Sequence, residues 1–169
     1  MPDLKEFDSV GGFSVDQTSV IDEKRNLVDV RSARVNDSDL PGATKTEYIV
    51  EGLNTDFLTL GQSFVPNRIQ LPDSSISFIT LNLVGISQSG NGNHLVVKLE
   101  SSVECASNGS VTHISSFETI IKDTIPSFES WTVAPYDGGN INAWSYSTTV
   151  AGASNVRWYG LVSVVSANL

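Results

Sequence analysis

Ile76-Ser-Phe-Ile-Thr-Leu-Asn-Leu-Val-Gly-Ile86 runs into Ser87-Gln-Ser-Gly-Asn-Gly-Asn93 and then into His94-Leu-Val-Val-Lys-Leu-Glu-Ser-Ser-Val-Glu104. Two runs rich in apolar and β-branched residues flank a cluster of Gly, Ser and Asn. That is the composition of two strands joined by a turn. The pattern continues to the end of the chain. Val111–Ile121, Ser130–Tyr136 with Ile141–Val150, and Val156–Val165 read as strands, and Ala106–Ser110, Asp137–Asn140 and Ala151–Asn155 as turns. Such a ladder makes a rigid antiparallel sheet. The expected fold is all-β: an antiparallel, jelly-roll-like β-sandwich preceded by an extended N-terminal arm.

Alternation along a strand separates its two faces. In His94–Glu104, Leu95, Val97, Leu99 and Val103 point one way while Lys98 and Glu100 point the other. Two other strands are apolar on both faces. In Val156–Val165, Val156, Trp158, Val162 and Val164 share a face with Gly160, and Arg157, Tyr159, Leu161 and Val165 form the opposite row. In Ile76–Ile86, Phe78, Val84 and Ile86 stand opposite Ile79, Leu81 and Leu83. The core of a lone sandwich uses one row per strand, so the second row predicts a subunit interface. Its candidates are Phe78, Val84, Ile86, Tyr159, Leu161 and Val165.

Upstream the signals are weaker. Residues 1–45 are rich in Asp, Val and Arg with few large apolar clusters. Asp16–Val20 and Leu27–Val35 read as extended segments, and Asn36-Asp-Ser-Asp-Leu-Pro-Gly42 as a turn or linker. This arm buries too little apolar surface to fold alone, so contact with a partner or with the domain is expected to order it. Residues 46–169 form the expected domain. Within it Glu47–Glu51 and Phe57–Leu60 flank Gly52-Leu-Asn-Thr55 as a hairpin, and Pro72-Asp-Ser74 is turn chemistry.

The chain has 169 residues and a net charge of −9. Residues 1–75 hold seven Lys/Arg and thirteen Asp/Glu, whereas residues 76–169 hold three and six. This acidity disfavours nucleic acid, whose phosphates call for clustered Lys and Arg. The polar positions of the second half are mostly Ser, Thr and Asn, which suit protein contacts or sugars. No stretch approaches the roughly 18 apolar residues of a membrane helix. Met1-Pro-Asp-Leu-Lys-Glu6 lacks the layout of a secretory signal, so synthesis in a cytoplasm and no membrane insertion are expected. The single cysteine, Cys105, reads as a small, partly buried strand residue.

No catalytic, metal or cofactor site is expected. His94 and His113 sit in strands without further ligands at metal spacing. Asn36-Asp-Ser-Asp39 lacks the remaining acids of a calcium loop and reads as a turn. There is no Gly-x-Ser-x-Gly, phosphate loop or Cys-x-x-Cys. Glu100, Glu104, Glu118, Asp123, Glu129 and Asp137 are scattered, and nothing singles out a catalytic pair. Six aromatics crowd the last forty residues. Trp158 lies on an apolar row and reads as core. Trp144 and Tyr146 share a face and read either as core or as a sugar-stacking surface. Loops on a rigid scaffold carry contacts, so the candidates for an exposed recognition tip are Gln88, Asn91, Asn93, Asp137 and Asn140, with Trp144 and Tyr146.

One segment resembles a known family. Ile79-Thr-Leu-Asn-Leu-Val-Gly85, a Gly/Asn tip, Leu95-Val-Val-Lys-Leu-Glu100, Ser127-Phe-Glu-Ser-Trp131 and Gly139-Asn140 lead to the most specific part. That part is Val150-Ala-Gly-Ala-Ser-Asn-Val-Arg-Trp-Tyr-Gly-Leu-Val-Ser-Val-Val165. Together they resemble the C-terminal β-sandwich domain of phage tailspikes and tail fibres, over about half of the chain. The resemblance implies a trimer capping a fibre or spike, with a part in host contact. The chain opens at Met1 with no shaft or enzymatic region before the sandwich, which shifts the expectation to a small stand-alone virion protein. The expected function is a trimeric capsid decoration (cement) protein on the outer capsid surface, made in the host cytoplasm and not an enzyme. Its partners would be two further copies of itself and the major capsid protein, with host surface glycans as a further contact. The alternative is a tail-fibre or tailspike-type receptor-binding protein that contacts host glycans.

Overall fold

The computed structural model describes residues 13–15, 18–21, 32–36, 42–60, 68–136, 139 and 141–169. Twelve strands and no helix occur among them, so no helix is long and apolar enough to cross a membrane. The chain divides into two compact units, Met1–Arg31 and Ser32–Leu169. In the first, β1 (Phe13–Val15) pairs antiparallel with β2 (Thr18–Ile21).

The second unit holds two antiparallel sheets. The larger has the order β3-β4-β12-β7-β8-β9, built from β3 (Ser32–Asn36), β4 (Ala43–Leu53), β7 (Ser75–Ser87), β8 (His94–Cys105), β9 (Val111–Asp123) and β12 (Val156–Asn168). In the smaller, β10 (Ser130–Tyr136) pairs with β11 (Ala143–Ala151). The far edge of β11 is shared by β5 (Asp56–Phe57) and β6 (Ile69–Gln70). β4 begins ahead of position 46, and β3 joins the same sheet as its edge.

The all-β class and the sandwich-like arrangement match the sequence reading, and so do the strand positions. Two features differ. The ladder is not one sheet: β7, β8 and β9 form a meander, β10 and β11 leave for the smaller sheet, and β12 returns to lie between β4 and β7. The exit is the stretch after β9. There the Thr124 amide bonds the His94 carbonyl, and a turn at Pro126 follows, closed by the Glu129 amide on the Pro126 carbonyl. Proline cannot continue the ladder, so the strand ends there. Phe57–Leu60 also departs from a flat hairpin. Glu51 and Thr59 exchange both backbone hydrogen bonds, but β5 then pairs with Ser147 and Thr148 of β11 in the other sheet.

The core lies between the sheets. β7 contributes Ile79, Leu81 and Leu83; β8 contributes Leu95, Val97, Leu99 and Val103; β12 contributes Val156, Trp158, Val162 and Val164. Aromatics join the layers. Trp131 meets Trp158 edge-on at 6.4 Å, Trp144 meets Tyr146 edge-on at 6.0 Å, and the Tyr146 hydroxyl donates to Ser101 Oγ across the core at 3.2 Å. The Trp158 ring lies over Gly85. A Cβ at Gly85 would fall 2.5 Å from Trp158 Cζ3.

Candidate subunit interface and recognition loops

Sheet register assembles the outer face of β4, β12 and β7 row by row. Val165 lies between Lys45 and Phe78, Leu161 between Ile49 and Asn82, Tyr159 between Glu51 and Val84, and Arg157 between Leu53 and Ile86. All six interface candidates therefore share one face, pointing away from the core. Phe78, Ile86, Tyr159, Leu161 and Val165 are exposed and Val84 is half-buried. Ile49, 64% exposed, with Leu53 and Ile76, extends the same surface. Those three were absent from the sequence-derived set. The signal for Ile49 was Tyr48-Ile-Val50, three apolar residues in one strand, which must place one of them outward. Charges punctuate the rim, with ion pairs Lys45–Glu47 at 2.9 Å and Lys98–Glu100 at 2.7 Å. The Arg157 guanidinium donates to the Tyr159 hydroxyl at 3.4 Å, and this bond raises its pKa further.

β9 extends the exposed apolar surface in a way the sequence did not show. Its residues from Thr112 to Asp123 are exposed whichever face they belong to. Ile114, Phe117, Ile120 and Ile121 thus meet solvent on an edge strand.

The recognition candidates separate. Gln88 and Asn91 are exposed in the β7–β8 loop and Asn93 is half-buried. Asn91 Oδ1 accepts from the Asn93 amide at 3.1 Å, and Gly90 and Gly92 take positive φ to close the turn. Asp137 and Asn140 lie outside the described residues. Trp144 and Tyr146 do not belong to an exposed tip. Both are 0% exposed, on the inner face of β11, where the rings fill the space between sheets. This corrects their place among the recognition candidates and confirms the core reading. The turns also do not gather at one end. The Gln88 amide bonds the Asn155 carbonyl, which joins the β7–β8 and β11–β12 turns, whereas the Asn142 amide beside the β10–β11 turn bonds Gly109 of the β8–β9 turn. An antiparallel hairpin puts successive turns at opposite ends, so no common tip can form from all of them.

At the Gln88 end the loops enclose a shallow groove of about 340 Å³ lined by Gln88, Ser89, Phe128, Glu129, Ala153, Ser154 and Asn155. Phe128 is 79% exposed. Glu129 accepts from Trp131 Nε1 at 2.9 Å. That bond, with hydrogen bonds from Ser154 and the Ala153 and Ser154 backbone, holds its carboxyl below the ordinary carboxylate range. The carboxylate thus staples the β11–β12 turn to the start of β10. Among the described residues no three His, Cys, Asp or Glu side chains gather as metal ligands. His94 Nδ1 is engaged with the Gly92 carbonyl at 2.8 Å, and His113 packs near Trp144. Cys105 is buried, which pushes its thiol up.

No family model and no curated protein matches the chain. Among solved structures, a phage tailspike is similar. It is the tailspike protein gp49 from Acinetobacter baumannii bacteriophage Fri1, a capsular polysaccharide depolymerase, with 19% identity and a TM-score of 0.48 over 86% of this chain. The chain spans about a fifth of that tailspike, 21% of its length.

Proposed function

We propose that this chain is a structural protein of a phage virion that works as a homotrimer, with the outer face of β4, β12 and β7 packed between subunits. The observation that carries the reading is the set of exposed apolar side chains on that face, Ile49, Phe78, Ile86, Tyr159, Leu161 and Val165, broken by the polar row Glu47–Ser163–Thr80. A solvated sheet face is normally polar, and large apolar patches on a soluble monomer mark an interaction surface. The resemblance of Ile79–Val165 to tailspike and tail-fibre sandwiches supports a place in the virion. In the decoration reading, the trimer sits on the outer capsid, the residues ahead of β3 clasp the major capsid protein, and the load of packaged DNA is spread over several shell subunits. The role is mechanical. The test is cryo-electron microscopy of intact particles carrying the chain. Three-fold density of this fold over the shell supports capsid decoration, and density at the tail alone overturns it.

A second reading rests on the loop groove. An exposed Phe128 beside Glu129, Gln88, Ser89 and Ser154 supplies an apolar platform and polar groups of the kind that hold a sugar ring. Here the virion subunit contacts host surface glycans. Glycan-array binding lost in Phe128→Ala supports it, and absence of binding to any glycan removes it.

A further inference from the structure

The inner face of the large sheet changes character at one end. Along β4 the inward positions run Val50, Tyr48, Thr46, Thr44, and along β12 they run Val162, Val164, Ser166. Arg34 of β3 is paired in register with Thr46 and so joins the same face. Together with Gln70, Leu71 and Pro72 these groups line a half-enclosed cavity of about 350 Å³. That volume falls within the usual range of small-ligand sites, and the mix of an apolar floor with a few convergent polar groups is their usual chemistry.

A solvated end of a sandwich explains hydroxyl groups but not this arrangement. Val164 and Ser166 are buried at the floor, and Ser166 is satisfied by a 2.8 Å bond with Ser77. Tyr48 is 8% exposed. Burial raises its phenol, against the hydrogen bonds of Thr46 and the Gln70 backbone and the field of Arg34. Among the described residues Arg34 forms no ion pair and no acid lines the cavity. A guanidinium facing a pocket of hydroxyl and amide groups presents a forked donor that no carboxylate of the described residues takes.

The geometry points to a binding site for a small hydroxylated carboxylate, of the size of a sugar acid, with Arg34 on the carboxylate and Thr44, Thr46, Tyr48 and Gln70 on the hydroxyls. Calorimetric titration of the full chain with D-glucuronate, D-glucose, acetate and inorganic phosphate tests it. Saturable glucuronate binding is expected. It should be at least about tenfold tighter than binding of glucose, acetate or phosphate, and weakened at least about tenfold by Arg34→Gln, the loss of one charge-assisted pair. No saturable glucuronate binding, equal binding of phosphate or acetate, or undiminished binding by Arg34→Gln overturns the site. Should Arg34→Gln not fold, phenylglyoxal modification of the unaltered chain decides. Glucuronate must slow the reaction at Arg34, and an unchanged rate overturns the proposal.

Discussion

Single residues in this fold are constrained by space in some places and by backbone conformation in others, and two glycines show the difference. Gly85 has ordinary extended backbone, but Trp158 occupies the position its Cβ would take. Gly85→Ala should destabilise by about 1–3 kcal/mol, the usual cost of overpacking, measured by denaturant unfolding. Gly90 has open space around it and φ of 74°. Gly90→Ala should cost about 1 kcal/mol, through backbone strain alone. Glu129 carries a pH signature. Its folded pKa lies below the ordinary 4.5, so its stabilising effect is fully present above that value and is lost as pH falls through the folded one. The unfolding midpoint of the wild-type chain should drop on acidification below about pH 4.5, and Glu129→Gln should flatten that part of the profile. An unchanged profile would mean that the Trp131 and Ser154 bonds do not depend on ionisation.

At the scale of elements, each strand of the second half was legible because apolar alternation and Gly/Asn punctuation are local. Which sheet a strand joins was not legible. Alternation says that Trp131, Val133, Trp144 and Tyr146 lie on particular faces, but the partner is fixed by the direction of chain at Thr124–Glu129, a tertiary property. The same limit hid Trp144 and Tyr146. Parity put the two rings on one face, and only the position of β11 opposite β8 shows that face to be inward. The exposed β9 was equally hidden, since a strand does not record how much of it the rest of the fold covers. The outer row of β7 and β12 was readable because a second apolar row on a strand has no use in a lone sandwich. Its substitution separates interface from core. Phe78→Asp with Leu161→Asp should yield a soluble monomer whose unfolding free energy stays within about 1 kcal/mol of a subunit's own, because neither side chain touches the core. Trp144→Ala should instead cost about 3–5 kcal/mol of stability, through the cavity it leaves between the sheets.

For the whole molecule, two surfaces of opposite character meet in one small subunit. One side of the large sheet exposes apolar side chains among charged ones and is the proposed contact with other copies, while the loops at the Gln88 end and the Arg34 cavity are the proposed ligand surfaces. Such a division suits a subunit that packs by its sheet and presents its ends. The central claim is that the outer face of β4, β12 and β7 is covered by further copies, and sedimentation equilibrium of the purified chain tests it most directly. A trimer of 18.2 kDa chains, about 55 kDa, is predicted, independent of concentration through the micromolar range and reduced to one chain by Phe78→Asp with Leu161→Asp. A stable wild-type monomer of 18.2 kDa would contradict it.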